Sequence, residues 1–179
     1  MTPEFSHRVP VDQIGSAPHN HHVAANEGER AALAARFALA GLAVLEADIA
    51  LSREAAGIRA RGRVTARLAQ TCVVSGQPVA ASLDEAVDVL FTADAGKGGE
   101  DDEFELDAAD CDILPLEGDA VDLGELAAET MGLALDPYPR LGDADLAEYR
   151  RLLTSEEVAA AAEQAARDAA NPFAVLKKK

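Results

Sequence analysis

The clearest signal along the chain is a period of two. From Ile58 the even positions run Ile58, Ala60, Gly62, Val64, Ala66 and Leu68, while the odd positions run Arg59, Arg61, Arg63, Thr65 and Arg67. Successive side chains of a strand point to opposite faces, so the pattern predicts one strand with a core face and an arginine face. A second run, Val79–Thr92, alternates with the opposite parity. Val79, Ala81, Leu83, Val87, Val89 and Phe91 are apolar, and Ser82, Asp84 and Asp88 are polar. Between the runs lies QTCVVSGQPV, where Ser75-Gly76 suits a two-residue hairpin turn. Pairing around that turn sets Leu68 against Leu83, Val64 against Val87 and Ala60 against Phe91 on the buried face. It sets Arg67 against Asp84, Arg63 against Asp88 and Arg59 against Thr92 on the wet face, which leaves Arg59 and Arg61 without acidic partners.

Other patterns fill in the rest. Phe5–Ile14 reads as a short strand, and GSAPHNHHVAAN as a loop by its Gly, Pro, Ser and Asn content. Asn26 followed by Glu29 has capping-box spacing and starts a helix running to about Leu39, with Gly41 as its stop. Leu42–Leu51 alternates as a half-buried strand. The stretch ADAGKGGEDDE predicts a mobile acidic loop at about 94–103, with short strands expected at Phe104–Leu106 and Cys111–Leu116. Asp122 caps a helix running to about Leu135, with Leu123, Leu126, Thr130 and Leu133 on one face and Pro137 and Pro139 beyond it. Ser155 caps a last, alanine-faced helix, EEVAAAAEQAARDAA. The expected fold is α+β: an antiparallel β-sheet centred on the long hairpin at about 58–92, two helices at 26–40 and 122–135 packed on one face, and a helical C-terminal tail. A length of 179 residues fits one such domain, 1–150, followed by the tail, 151–179.

Composition adds that the core is built from small pieces, since 49% of residues are hydrophobic but only 4% aromatic, with no tryptophan. Cys72 and Cys111 lie far apart and give no disulfide framework. No apolar run approaches the roughly 18 residues of a membrane span, and MTPEFSHRVP lacks the regions of a signal peptide. These features point to a cytoplasmic protein with no membrane partner. The net charge of −16 is unevenly placed: residues 1–70 carry +1, residues 71–150 carry −18 and residues 151–179 carry +1. A nucleic-acid surface would therefore have to be a local patch in the first seventy residues, where Arg36 and Arg53 also lie.

The arginine stripe has two readings. Four guanidinium groups at Arg59, Arg61, Arg63 and Arg67 could follow an RNA backbone phosphate by phosphate, or Asp84 and Asp88 could neutralise part of the stripe within the hairpin. Catalysis finds little support. There is no nucleophile elbow, no phosphate-cradling glycine loop and no His-Glu-x-x-His, and nothing separates the pKa values of any carboxylate pair. No catalytic residue, cofactor or small-molecule substrate is expected. His19, His21 and His22 are close enough to share an ion but have no second ligand cluster at the usual spacing, so no metal is expected. Cys72 and Cys111 read as small buried hydrophobes.

Several segments, in the same order, resemble the YceD family, also catalogued as domain of unknown function 177. They are the opening PEFSHRVPVDQIG, the knuckle QTCVVSGQPV, the helix and proline turn AVDLGELAAETMGLALDPYPR, and the ending NPFAVLKKK. Many members carry a second cysteine where this chain has Ser75. The resemblance implies a non-catalytic cytosolic factor in ribosome biogenesis, needed for accumulation of the large-subunit (23S) rRNA. It would act through rRNA, with Arg59, Arg61, Arg63 and Arg67 as contacts, or through a ribosomal protein. Two alternatives stand beside it: an acidic chaperone-like module for a basic ribosomal protein, since complementary charge favours encounter, and a small enzyme with an unrecognised site.

Overall fold

Three long segments of alternating polarity become three long neighbouring strands. The computed structural model describes residues 3–93, 112–116, 118–142, 145–146 and 156–170. Its elements are β1 (Arg8–Pro10), β2 (His19–Ala24), α1 (Glu27–Arg36), β3 (Gly41–Arg53), β4 (Ile58–Thr71), β5 (Pro78–Thr92), β6 (Asp112–Pro115), β7 (Ala120–Asp122), α2 (Leu123–Leu133) and α3 (Glu156–Ala170). The fold is α+β. A five-stranded sheet has the order β2-β3-β4-β5-β6, antiparallel except where β6 runs parallel to β5, and β1 pairs with β7 in a separate ribbon. The chain divides into two compact units, Met1–Pro139 and Arg140–Lys179. In the second, the side chains at 160–167 of α3 are exposed, and Arg167 pairs with Glu163 one turn earlier at 3.4 Å. The expected acidic loop at 94–103 and strand at 104–106 lie outside the described residues.

The core lies on one face of the sheet. Val23 of β2, Leu45, Ala47, Ile49 and Leu51 of β3, Ile58, Ala60, Val64, Ala66 and Leu68 of β4, and Val87 and Val89 of β5 are buried there. Helix α1 packs against β3, and α2 lies across β3, β4 and β5. α1 begins as its sequence predicts, with Asn26 Oδ1 accepting from the Glu29 N–H and Glu29 reaching back to the Asn26 N–H. It ends earlier than Gly41 suggested. The Leu39 N–H donates to Ala34 O and the Ala38 N–H to Ala35 O, a Schellman closure that puts Ala38 at φ 52° in the position glycine usually fills. α2 buries Leu123, Leu126, Ala127 and Met131, while Leu133, expected on the apolar face, is 89% exposed. The buried stripe passes instead through Ala127 and Ala128, whose side chains are fully buried.

Two expectations fail in instructive ways. His19, His21 and His22 are not in a loop but on β2, whose residues pair with β3 from His19↔Leu51 to Ala24↔Glu46. An edge strand needs little hydrophobic signal of its own, and here Val23 alone supplies a fully buried side chain. The hairpin register is also displaced by two residues. Arg63 lies opposite Ala86 rather than Asp88, Val64 opposite Glu85 rather than Val87, and Arg61 opposite Asp88. The turn is the cause. Cys72 closes on Gln77, its N–H donating to the Gln77 carbonyl at 2.8 Å, so four residues rather than two make the loop. A two-residue type I′ turn needs positive φ at both central positions, and of Ser75 and Gly76 only Gly76 has it. Period two assigns faces, and a slip of two leaves every face unchanged.

Gly62, near the middle of β4, lies where the β3 backbone leaves no room for a side chain. A Cβ there would lie 2.0 Å from the Asp48 carbonyl oxygen and 2.7 Å from the Ile49 Cα, both backbone atoms of β3. We expect Gly62→Ala to force β3 and β4 apart and lower unfolding free energy by about 3 kcal/mol, measured by chemical denaturation. A loss below about 0.5 kcal/mol would show that the two strands can part there at little cost.

Candidate functional site

On the open face of the sheet, neighbouring strands bring charges into rows. Asn20, Ala50, Arg61 and Asp88 form one row, His22, Asp48, Arg63 and Ala86 the next, and Ala24, Glu46, Thr65 and Asp84 the third. Arg59 stands one row beyond, between Ser52 and Leu90, and Arg67 lies between Val44 and Ser82. All four predicted arginines therefore share a face, interleaved with four carboxylates, Glu46, Asp48, Asp84 and Asp88.

The displaced register changes which arginines are paired. Arg59 and Arg61, expected free, both donate through Nε to Asp88 Oδ1, Arg61 at 3.2 Å. Arg63 bonds Asp84 on the diagonal, and His22 Nδ1 lies 2.8 Å from Asp48 Oδ1. Arg67, expected to meet Asp84, has no ion-pair partner among the described residues. Burial separates the stripe further, for Arg59 is only 5% exposed whereas Arg61, Arg63 and Arg67 are exposed. The Arg59 hydrogen bond, then that of Arg61, holds the Asp88 carboxyl below its ordinary value against the opposing effect of burial.

The other arginines of the first seventy residues serve the fold. Arg36 donates to Glu125 Oε1 at 2.8 Å and to Glu4 Oε2 at 3.0 Å, tying α1 to α2 and to the N-terminal segment. The Glu125 hydrogen bond leads in holding its pKa above the usual arginine range. Arg53 donates to the Ile14 and Val11 carbonyls. A cleft of about 670 Å³ opens beside β7 and α2, with Phe91, Leu114 and Leu126 among its apolar walls. Two of its carboxylates hold neighbouring elements together. Asp122 caps α2 and accepts from Ser6 Oγ and the His7 N–H, and Glu125 holds Arg36. β2 splits the histidines, since His22 points to the open face while His19 and His21 stack edge-on at 5.0 Å on the other. Among the described residues no group of three or more His, Cys, Asp or Glu side chains could hold a metal ion, and no helix is long and apolar enough to cross a membrane.

A family model described as large ribosomal RNA subunit accumulation protein YceD matches residues 60–178. The chain belongs to the YceD family. No curated protein and no solved structure matches it. The YceD match takes in Arg61, Arg63 and Arg67 with both aspartates that hold the stripe, Asp84 and Asp88, and begins one residue after Arg59. The YceD description links the chain to large-subunit rRNA accumulation and names no reaction. Sequence reasoning missed Asp88 as a shared partner, because that role depends on the loop length. It also missed the His22–Asp48 pair, although the spacing of His21 and Val23 was a usable strand signal.

The Asp88 interactions predict a pH effect. A carboxyl whose folded pKa is depressed contributes stability above its unfolded value, and that contribution is lost as pH falls through the folded value. Asp88→Asn should therefore lower stability near neutral pH, by about 1 kcal/mol after solvent screening, because Arg59 and Arg61 exchange an ionised partner for a neutral one. The gap to the parent should narrow below the ordinary carboxylate range. Denaturation midpoints of both proteins between acid and neutral pH test this, and a gap that does not change with pH would contradict it.

Proposed function

We propose that the protein is a non-catalytic factor in large-subunit assembly that acts by binding a basic ribosomal protein. The observation that supports this is charge placement. The arginines of the open face are matched by as many carboxylates, while the chain retains a net charge of −16, with −18 in residues 71–150. A phosphate backbone approaching the stripe meets Asp48 and Asp84, whose side chains are 78% and 61% exposed. A cationic protein surface meets an attractive long-range field that raises the rate of encounter.

Direct rRNA contact is the second reading, and Arg67 is the observation in its favour: it is exposed and has no ion-pair partner among the described residues. The pairs made by Arg61 and Arg63 are exposed too, and such pairs contribute only about 0–1 kcal/mol, so phosphate could displace them. Two variants of the full chain separate the readings. One neutralises Glu100, Asp101, Asp102 and Glu103, and the other replaces Arg61, Arg63 and Arg67 by Ala. With purified large-subunit ribosomal proteins as probe, the acidic variant should bind about tenfold more weakly and the arginine variant as tightly as the parent. If instead only the arginine variant loses binding, to purified large-subunit rRNA, and its log–log salt slope flattens by about 0.7–0.9 per contact, the protein-binding reading is wrong.

A further inference from the structure

The edge of the sheet at β2 is a second surface with its own chemistry. The Ala25 N–H donates to Leu45 O at 3.0 Å, continuing the β2–β3 ladder in which Ala24 faces Glu46. Hydrogen-bonded pairs alternate in an antiparallel ladder, so His19, His21 and Val23 bond to β3 while Asn20, His22 and Ala24 aim their backbone N–H and C=O groups away from it. Among the described residues β2 ends the strand order, and Asn20, His22 and Ala24 are all exposed. Three usual protections of an edge are missing from HNHHVA. It contains no proline, no lysine and no break in register.

We infer that the β2 edge takes up an extended, lysine- or arginine-bearing peptide segment as a sixth strand of the sheet, with Asn20, His22 and Ala24 supplying the main-chain hydrogen bonds. This rests on the reading of the partner as a basic protein. Main-chain bonds give such additions their affinity, and alternate side chains give their selectivity. Residues of the added strand that point to the open face would stand about 5 Å from Asn20, His22 and Ala24, and about 10 Å from Asp48 and Glu46 on β3. A lysine or arginine side chain spans that gap, and both carboxylates are exposed. On the other face the nearest side chains are His19 and His21. Burial, and then His19 and His7, hold His21 below its ordinary value, which disfavours a cation there against a basic partner. A second copy of the chain fits the edge less well, since two bodies of charge −16 repel.

The probe is an octapeptide of alternating lysine and valine, added to the full chain and followed by amide hydrogen exchange in NMR spectra. The expected result is that the Asn20, His22 and Ala24 amides exchange rapidly in the free protein and at least tenfold more slowly with peptide. The His21 and Val23 amides, already bonded to β3, should change little. An octapeptide of alternating glutamate and valine should give no protection. Asn20→Pro removes one outward N–H, and Asn20→Lys sets a like charge against the probe without touching the backbone. Each should weaken the lysine peptide at least tenfold, and a melting temperature close to the parent's checks that the fold is kept. The edge proposal is overturned if the lysine peptide leaves the three amides unprotected, or if a folded Asn20 variant binds it as the parent does. It is also overturned if sedimentation shows the protein dimerising through β2. Purified large-subunit ribosomal proteins separate this from the functional reading. If the parent and Asn20→Lys bind them equally, the edge proposal alone fails. If peptide protects the edge while the parent ignores those proteins, the functional reading alone fails.

Discussion

A strand that carries an arginine at four outward positions brings like charges together in the middle of a sheet, most sharply at Arg59, which is buried. β4 is that strand, and the pairs of Arg59 and Arg61 with Asp88 and of Arg63 with Asp84 offset the charge of three of the four. Remove the carboxylates and like charges would stand two residues apart along β4, with Arg59 among them at 5% exposure. The same strand supplies the core face through Ile58, Ala60, Val64, Ala66 and Leu68. The fold and the open-face chemistry are thus two sides of one sequence pattern.

Small residues make the rest possible. With few aromatics, the core gains its contacts by close approach rather than by large side chains. Gly62 lets the β3 backbone press onto β4, and Gly124, where a Cβ would lie 2.6 Å from the Phe5 carbonyl oxygen, lets the N-terminal segment lie against α2. Asp122 and the Arg36 pairs then lock that segment to both helices. Packing of this kind tolerates little added volume, and a Cβ at either glycine would meet backbone atoms at less than 3 Å.

Much of the fold was legible in the sequence where one pattern dominated. The alternation of β3, β4 and β5, the capping box at Asn26 and Glu29, and the Asp122 cap each describe a local interaction that tertiary packing does not overrule. Three things were not legible. The hairpin register depended on a four-residue loop closed by Cys72 and Gln77, and the hydrophobic pattern is blind to a shift of two. β2 depended on β3 for its hydrogen bonds and on Val23 for its burial, so its own sequence looked like a loop. The α2 face ran through alanines, which carry a weaker signal than Leu133 although Leu133 points outward. For the site, the sequence placed all four arginines on one face, and the register error then misassigned which of them were paired.

Three of the four arginines of the stripe are held by carboxylates of the sheet, and the four carboxylates of that face bring it close to charge balance. The measurement that tests this most directly is an NMR pH titration of the Asp88 side-chain carboxyl in the intact protein. The account predicts a midpoint clearly below the ordinary aspartate value, because Arg59 and Arg61 both bind the ionised form. A midpoint at the ordinary value would mean that the two arginines do not hold Asp88 in solution and that the stripe is open to an outside partner.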